Sequence, residues 1–336
     1  MLRGPSAVRV AIEKDEVVVR PIIGSSAAGR RSAIRPKIAL PLSMADFGKR
    51  GFRTDRPAAR AVLEGHARMF LIGFNIGVEH WRAPHDELHT RIPDAERGFA
   101  YEGAGMFAGL LDLATAGRAR AVSRLVTGPG EAYVHLVHVG AGWLATPMRV
   151  TAVPRLPRTP LLRWLGVDGS GFGEVYFGGL RALHRRAARR PGELWEARLA
   201  GCGRALWFAE SAHPEGVAAV IGRAAPPARP HLWAGVGLAV TYAGAADERA
   251  FDELESAVGP HYAHFAQGVV FGAAARQRSG IVPPHTERAA VRFLGVAPGE
   301  AAEWSDIAAR DLTGSDDVRS YLRWKAEIRT LITARR

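Results

Sequence analysis

The sequence predicts an all-α fold, a multi-helix bundle or helical-repeat-like single domain with glycine-rich helix packing, and three observations carry that prediction. Apolar residues recur at helical intervals in one window after another. Strand-like alternation is nearly absent, and the windows are joined by Pro- and Gly-rich turns such as Thr127 to Gly130, Ala225 to Pro227 and Val282 to Pro284. With 336 residues, 47% of them hydrophobic, the chain can bury a sizeable core, which excludes a disordered or fibrous protein.

Residues 1–45 form a basic head without a sustained period, read as mostly disordered and dispensable for folding, although Val8 to Ile12 and Val17 to Ile23 could pair as a short hairpin. From Asp46 the pattern changes. Pro57 opens a helix in which Ala61, Leu63, Met69, Phe70, Ile72, Phe74 and Ile76 recur on one side, with Glu64 and Arg68 outward at i,i+4. Further helical windows run over Gly98–Leu113, Glu131–Thr146, Gly171–Arg190, Gly203–Ile221, Leu232–Ala243 and His264–Arg278. The last helix has Ser315 as predicted N-cap, Asp316 and Asp317 in its first turn, and an apolar stripe of Val318, Tyr321, Leu322, Ile328 and Leu331. Residues 46–336 are thus read as one helical domain; an internal duplication, about 46–155 and 156–336 with a joint near Pro154 to Pro160, is the alternative organisation.

Small residues sit in the middle of the windows: Gly73 and Gly77, Gly103 and Gly105, Gly140 and Gly142, Gly178 and Gly179, Gly235 and Gly237, Gly268 and Gly272. Glycine costs a helix interior about 1 kcal/mol relative to alanine, so its repetition requires a return, and close helix approach supplies one. The spacing, together with the match of 101–106 to 139–143, suggests helices packed around an axis, too irregular for a strict solenoid.

The net charge of +12 invites a nucleic-acid reading, but the first 60 residues carry +8 of it. The rest is nearly balanced, so no nucleic acid is expected as partner. Of 45 basic residues 41 are Arg and four are Lys, which with the Ala and Gly usage reads as the imprint of a GC-rich genome. Residues 132–148, 230–246 and 256–275 carry no Asp, Glu, Lys or Arg, yet His261, His264, Gln267, Pro260 and several glycines interrupt the longest of them, so the chain is not read as transmembrane. Without a signal-peptide pattern, and with a single cysteine, a cytoplasmic location is expected. That cysteine, Cys202 between two glycines, is read as a buried spacer in preference to a nucleophile.

Inside the apolar windows lie polar groups that a plain core would not choose. Glu102, His138, Glu174 and Glu210 fall at equal intervals of 36 residues, one per successive helix, and are the candidate catalytic residues. Carboxylates and imidazoles from four helices can hold a dinuclear metal, but the Glu-x-x-His pair occurs once, at Glu210 and His213, so the metal stays unknown and inter-helix hydrogen bonding of these groups is the alternative. His135 with His138, His261 with His264, and His85, Glu87 and His89 are pairs or groups without an implied third ligand shell. No nucleotide or flavin motif is present, and the cofactor, if any, is unknown.

Several segments resemble the domain-of-unknown-function family 1702, actinobacterial proteins encoded beside enediyne polyketide synthases: 49–53, 70–77, 96–106, 138–143, Leu162 to Trp164 with Asp168 and Gly169, 203–208, 232–238 and 266–268. They run in order from about residue 46 onward, and the basic head lies outside them. The resemblance implies a role in secondary metabolism and supplies no catalytic residues. It favours polar and aromatic groups within the matching segments, and Asn75, Tyr101, Trp143, Trp233 and Gln267 are the candidate substrate-binding residues. The expected function is an accessory protein of enediyne-type polyketide or related secondary-metabolite biosynthesis that binds or processes a long apolar polyene-like intermediate in a helical interior. The alternative is a non-catalytic helical scaffold whose partners are the synthase or its tailoring enzymes, and whether the protein is an enzyme is left open by the residues alone.

Overall fold

A computed structural model describes residues 8–13, 16–21, 38–143 and 159–335. Beyond an antiparallel hairpin of β1 (Val8–Glu13) and β2 (Glu16–Pro21), with Ala11 opposite Val18, the described chain is helical. The α-helices are α1 (Phe47–Arg50), α2 (Pro57–His80), α3 (His85–Arg91), α4 (Arg97–Ala114), α5 (Ala121–Leu125), α6 (Val134–Gly142), α7 (Leu165–Ala187), α8 (Glu193–Ala209), α9 (Pro214–Arg223), α10 (Arg229–Ala243), α11 (Glu248–Val258), α12 (Tyr262–Ser279), α13 (Pro284–Leu294), α14 (Pro298–Ala309) and α15 (Val318–Ala334).

Seven of them, α2, α4, α6, α7, α8, α10 and α12, stand side by side in chain order. Their contacts advance together along both partners: Gly103 lies on Phe70 and Gly77 on Phe107, and likewise Gly237 lies on Phe265 and Gly272 on Thr241. Neighbouring helices are therefore parallel, and the chain must travel back between each pair. The short helices α3, α5, α9 and α11 lie on those return legs. Between α7 and α8 only residues 188–192 intervene, and the return is made within α7 itself, which breaks at Gly179 (φ 63°, ψ −168°).

What lets parallel helices stand so close is a repeated x-Gly-x-Gly-x segment, at 103/105, 140/142, 169/171, 201/203 and 235/237. Every time, the first glycine lies against the backbone of the preceding helix and the second against that of the following one; Gly201 meets Asp168 while Gly203 meets Leu232. At about 100° per residue, glycines at i+1 and i+3 point to opposite flanks, whereas residues i and i+4 share the face between them. That face points into the molecule. The glycine pair expected at 178 and 179 is displaced to 169 and 171, because Gly179 is needed for the break.

Other boundaries also differ from expectation. The window 203–221 is two helices: Ser211 and Ala212 adopt left-handed φ of 46° and 56°, and His213 then caps α9 by accepting from the Gly216 amide at 2.9 Å. The window 131–146 opens as a 3-10 turn (Gly128–Tyr133) before α6. The last helix is capped by Asp317, whose carboxylate takes the Ser320 amide, and not by Ser315. Toward the other end, Ile38 and Leu40 pack against the core. The Asn75 amide bonds Leu40 in both directions (2.8 and 3.0 Å), and Ala45 is buried, so the last residues of the expected head lie on the body. The rest of the head expected to be disordered (1–7, 14–15 and 22–37) and most of the joint at 154–160 lie outside the described residues.

One contiguous apolar core runs from Ala45 to Ile332. α15 lies over one end of the parallel array, against α12 and α14, and residues 38–50 lie over the other, against α2 and α7. No helix of the described residues is long and apolar enough to cross a membrane.

Candidate functional site

The inward i and i+4 positions of the glycine segments build the site. The i+4 residues Met106, Trp143, Phe172, Arg204 and Leu238 line a first cavity, with Phe70, Phe99, Tyr176 and Phe208 filling its walls. The i residues Val139, Asp168, Ala200 and Ala234 line a second, together with Gln267 beside Gly268, and it is closed over by Tyr321, Trp324 and Lys325 of α15. Glu102 departs from the rule and faces the first cavity. Both spaces are narrow, with about 40 and 60 Å³ open to the centre of a water-sized atom, and they share Arg204, Leu238 and Tyr242. A few water-sized groups fit, so only a slim chain suits them.

The first cavity opens beside Leu40, Met44, Arg50 and the exposed Phe177. Arg50 stacks on Tyr176 at 4.2 Å while its guanidinium donates to the Met44 carbonyl, which ties the 38–45 segment to α7. Deeper in, His66 spans Glu96 (2.7 Å) and the Ala243 carbonyl (3.0 Å) and stacks on Phe99.

At the junction of the cavities lie charges that a helical core rarely holds. The Trp143 indole donates to Glu102 Oε1 at 2.9 Å, Arg204 Nη1 stands 3.9 Å from the same oxygen, and Arg204 Nη2 pairs with Asp168 Oδ1 at 2.7 Å. Glu102 and Asp168 are each 4% exposed. Burial pushes both carboxyls above the usual range, against the opposing pull of Arg204. Lys325, 3% exposed, faces the second cavity, and burial pushes its amine down to about 8. The arrangement offers a hydrogen-bonded carboxyl, a paired guanidinium and an amine along an apolar path.

The structure does not gather the four candidate catalytic residues. Glu102 alone faces the interior site. Glu174 is held bidentately by Arg186 (2.9 and 3.1 Å), Glu210 accepts from Arg53 Nε (2.9 Å), and His138 Nε2 meets the Thr159 hydroxyl (3.0 Å). The physical reason is register: the first glycines recur at intervals of 37, 29, 32 and 34 residues, so a fixed spacing of 36 slides along the helices and out of the inward face. Of the candidate binding residues, Trp143 and Gln267 line the cavities; Gln267 also accepts from Arg329 at 3.4 Å. Asn75 clamps Leu40, Trp233 packs edge-on to Phe265, and the Tyr101 hydroxyl is held between His85 and His89 (2.9 and 3.2 Å) with its ring stacked on Tyr133. Cys202 is a buried spacer whose thiol donates to the Gly171 carbonyl and is pushed up by burial. Among the described residues, no three His, Cys, Asp or Glu side chains cluster as a metal site requires.

Asp168, Arg204 and Lys325 escaped the sequence reading. Asp168 and Arg204 were legible in principle, since they immediately precede and follow a Gly-x-Gly, at the i and i+4 positions.

His138 gives the first testable consequence. It is fully buried, and burial pushes its imidazole down to about 4. The folded state keeps the ring neutral, whereas the unfolded chain takes up a proton below about pH 6.5; the stability tied to the neutral ring is therefore present above pH 6.5 and lost as pH falls toward 4, up to roughly 3 kcal/mol. Melting curves of wild type and His138→Gln between pH 7.5 and 4.5 should converge as pH falls, and parallel curves would contradict this.

Fold and site together define a class: an all-helical protein whose parallel, glycine-packed helices enclose a narrow apolar interior crossed by buried charges. The chain belongs to the family of proteins of unknown function DUF1702, whose sequence profile matches residues 30–332. No curated protein and no solved structure matches the chain.

Proposed function

We propose that the protein binds a slim, unbranched apolar chain in this interior and orients or protonates it at Glu102. The observation that carries the reading is the first cavity: aromatic rings, among them Phe70, Phe99, Trp143, Phe172, Tyr176 and Phe208, around a narrow slot that ends on a buried carboxyl. Aromatic walls suit a flat conjugated chain, and a buried carboxyl whose proton affinity is raised by burial is placed to exchange a proton with it. The resemblance described from the sequence directs this reading to a polyene-like intermediate of enediyne-type polyketide biosynthesis, formed in the same compartment as the synthase. No such ligand needs a metal or nucleotide to be held.

A conjugated tetraene fatty acid is a suitable probe, because it accepts excitation energy from tryptophan and Trp143 lines the slot. Titration should show saturable energy transfer at one molecule per chain. Ala239→Leu, which places extra carbons in the first cavity at a cost of about 1–3 kcal/mol, should weaken that binding at least tenfold while the protein remains folded. Unsaturable transfer, or equal affinity in the filled variant, would remove the ligand-binding reading in favour of the scaffold.

A further inference from the structure

We infer that Lys325 is a nucleophilic amine that captures an aldehyde at the end of a slim apolar molecule, as an imine, in the second cavity. Three observations meet there. In a chain with 41 arginines, the four lysines are Lys14, Lys37, Lys49 and Lys325, so Lys325 is the only one after residue 49. It is also buried, on α15, where it faces the space lined by Leu238, Phe271 and Trp324. Its Nζ has no hydrogen-bond partner among the described residues and stands 5.6 Å from the centre of the Tyr321 ring.

A sequence that writes nearly every cation as arginine departs from that habit at one interior position. Arginine would serve if the position needed only a charge beside Asp168, since a guanidinium pairs better and stays protonated. Lysine alone can shed its proton and present a lone pair. Burial makes this feasible near neutral pH, and the groups that face the amine set the balance: Asp168 from α7 and Glu196 from α8 hold the proton on, whereas burial and Arg329 from α15 drive it off. His231 of α10 and His264 of α12 stand nearby, and burial keeps both neutral. Access comes from the far side of the cavity, where His135, Ser305 and Trp324 are shared with a surface depression at Thr159, Leu162 and Arg278.

The chemistry balances without an oxidant or reductant. The neutral amine attacks the carbonyl carbon, the carbonyl electron pair moves to oxygen, and protonation gives a carbinolamine. Loss of that oxygen as water forms the C=N bond, with Asp168 placed in the same cavity to pass the proton. The inference concerns the second cavity and does not depend on what occupies the first.

The test is reductive trapping on the full chain. Incubation with octanal and sodium cyanoborohydride at pH 7.5, followed by peptide mapping, should place an octyl group on Lys325 at least tenfold faster than on Lys49. Ala234→Leu, which narrows the second cavity, should slow labelling of Lys325 and leave Lys49 unchanged, while tetraene binding in the first cavity persists. Lys325 labelled no faster than Lys49, or labelled equally in the narrowed variant, would overturn the proposal. Lys325→Arg and Lys325→Met should both melt within a few degrees of wild type if the amine is chemical, and a collapse of both variants would show a purely structural role.

Discussion

Alanine at position 201 is expected to destabilise the protein by more than about 3 kcal/mol, although alanine is the better helix former by about 1 kcal/mol. A Cβ at Gly201 would lie 1.8 Å from the Asp168 carbonyl oxygen and 2.8 Å from the Phe172 amide nitrogen, both backbone atoms of α7. No rotamer relieves that overlap; α7 and α8 must separate. The separation would propagate, because Gly203 on the same helix is seated on α10 and the array has no slack between crossings. It would also move Asp168 and Arg204, so any ligand binding would fall with stability. For a chain of this length each kcal/mol is worth about 1–2 °C in melting temperature, so a fall of roughly 5 °C is expected in a calorimetric scan. Gly65 is the control: it lies inside α2 with nothing within 4 Å of an added Cβ, and Gly65→Ala should gain about 0.5–1 kcal/mol. Gly201→Ala melting with wild type would show that the helices do not cross as closely as the structure has them.

The same glycines explain how much of the molecule was legible. Windows rich in apolar residues and glycine announced long interior helices, because close approach is the one benefit that offsets the propensity cost of glycine at this density. Their parallel course was not legible, since it depends on return legs with little apolar signal: α9 hides behind two left-handed residues, and the return within α7 rests on Gly179 alone. α11 and α13, short and amphipathic, carry none of the glycine that marks the interior helices. For the site, equal spacing was a misleading guide. Glu174 and Glu210 sit where the 36-residue interval has drifted onto flanks occupied by Arg186 and Arg53, so they are structural ion pairs. Glu102 stands out as a polar group in an apolar window and Trp143 lies in a family-like segment; both also flank a Gly-x-Gly, and by that criterion Asp168 and Arg204 belong with them. Lys325 had no local signal; its distinction is compositional and becomes visible only once α15 is laid over the second cavity.

Removing the guanidinium at the centre of this cluster should have the other large effect. Arg204→Met keeps an unbranched apolar stem and deletes the guanidinium, whose carbon lies 5.0 Å from the Phe172 ring centre and whose charge stands between Glu102 and Asp168. Two carboxyls, each 4% exposed, then lose their shared counterion, and breaking a buried pair in this way costs about 3–5 kcal/mol. The loss should depend on pH in a direction that a surface salt bridge would not give. Burial already raises both carboxyls in the wild type, and without Arg204 they rise further, so the folded variant binds protons more tightly than its unfolded chain. The penalty is therefore in force above the folded-state value and is relieved as pH falls through it toward the unfolded value near 4. The gap in melting temperature between wild type and Arg204→Met should accordingly be widest at pH 8 and shrink as the pH is lowered toward the unfolded value near 4. Asp168→Asn added to Arg204→Met should recover part of the loss by removing one stranded charge, with a coupling energy of the order of 1–3 kcal/mol in the double-mutant cycle. A gap under about 1 kcal/mol at pH 8, or one that stays constant with pH, would mean that Glu102 and Asp168 do not rely on Arg204, and the charged junction between the two cavities would lose its physical basis.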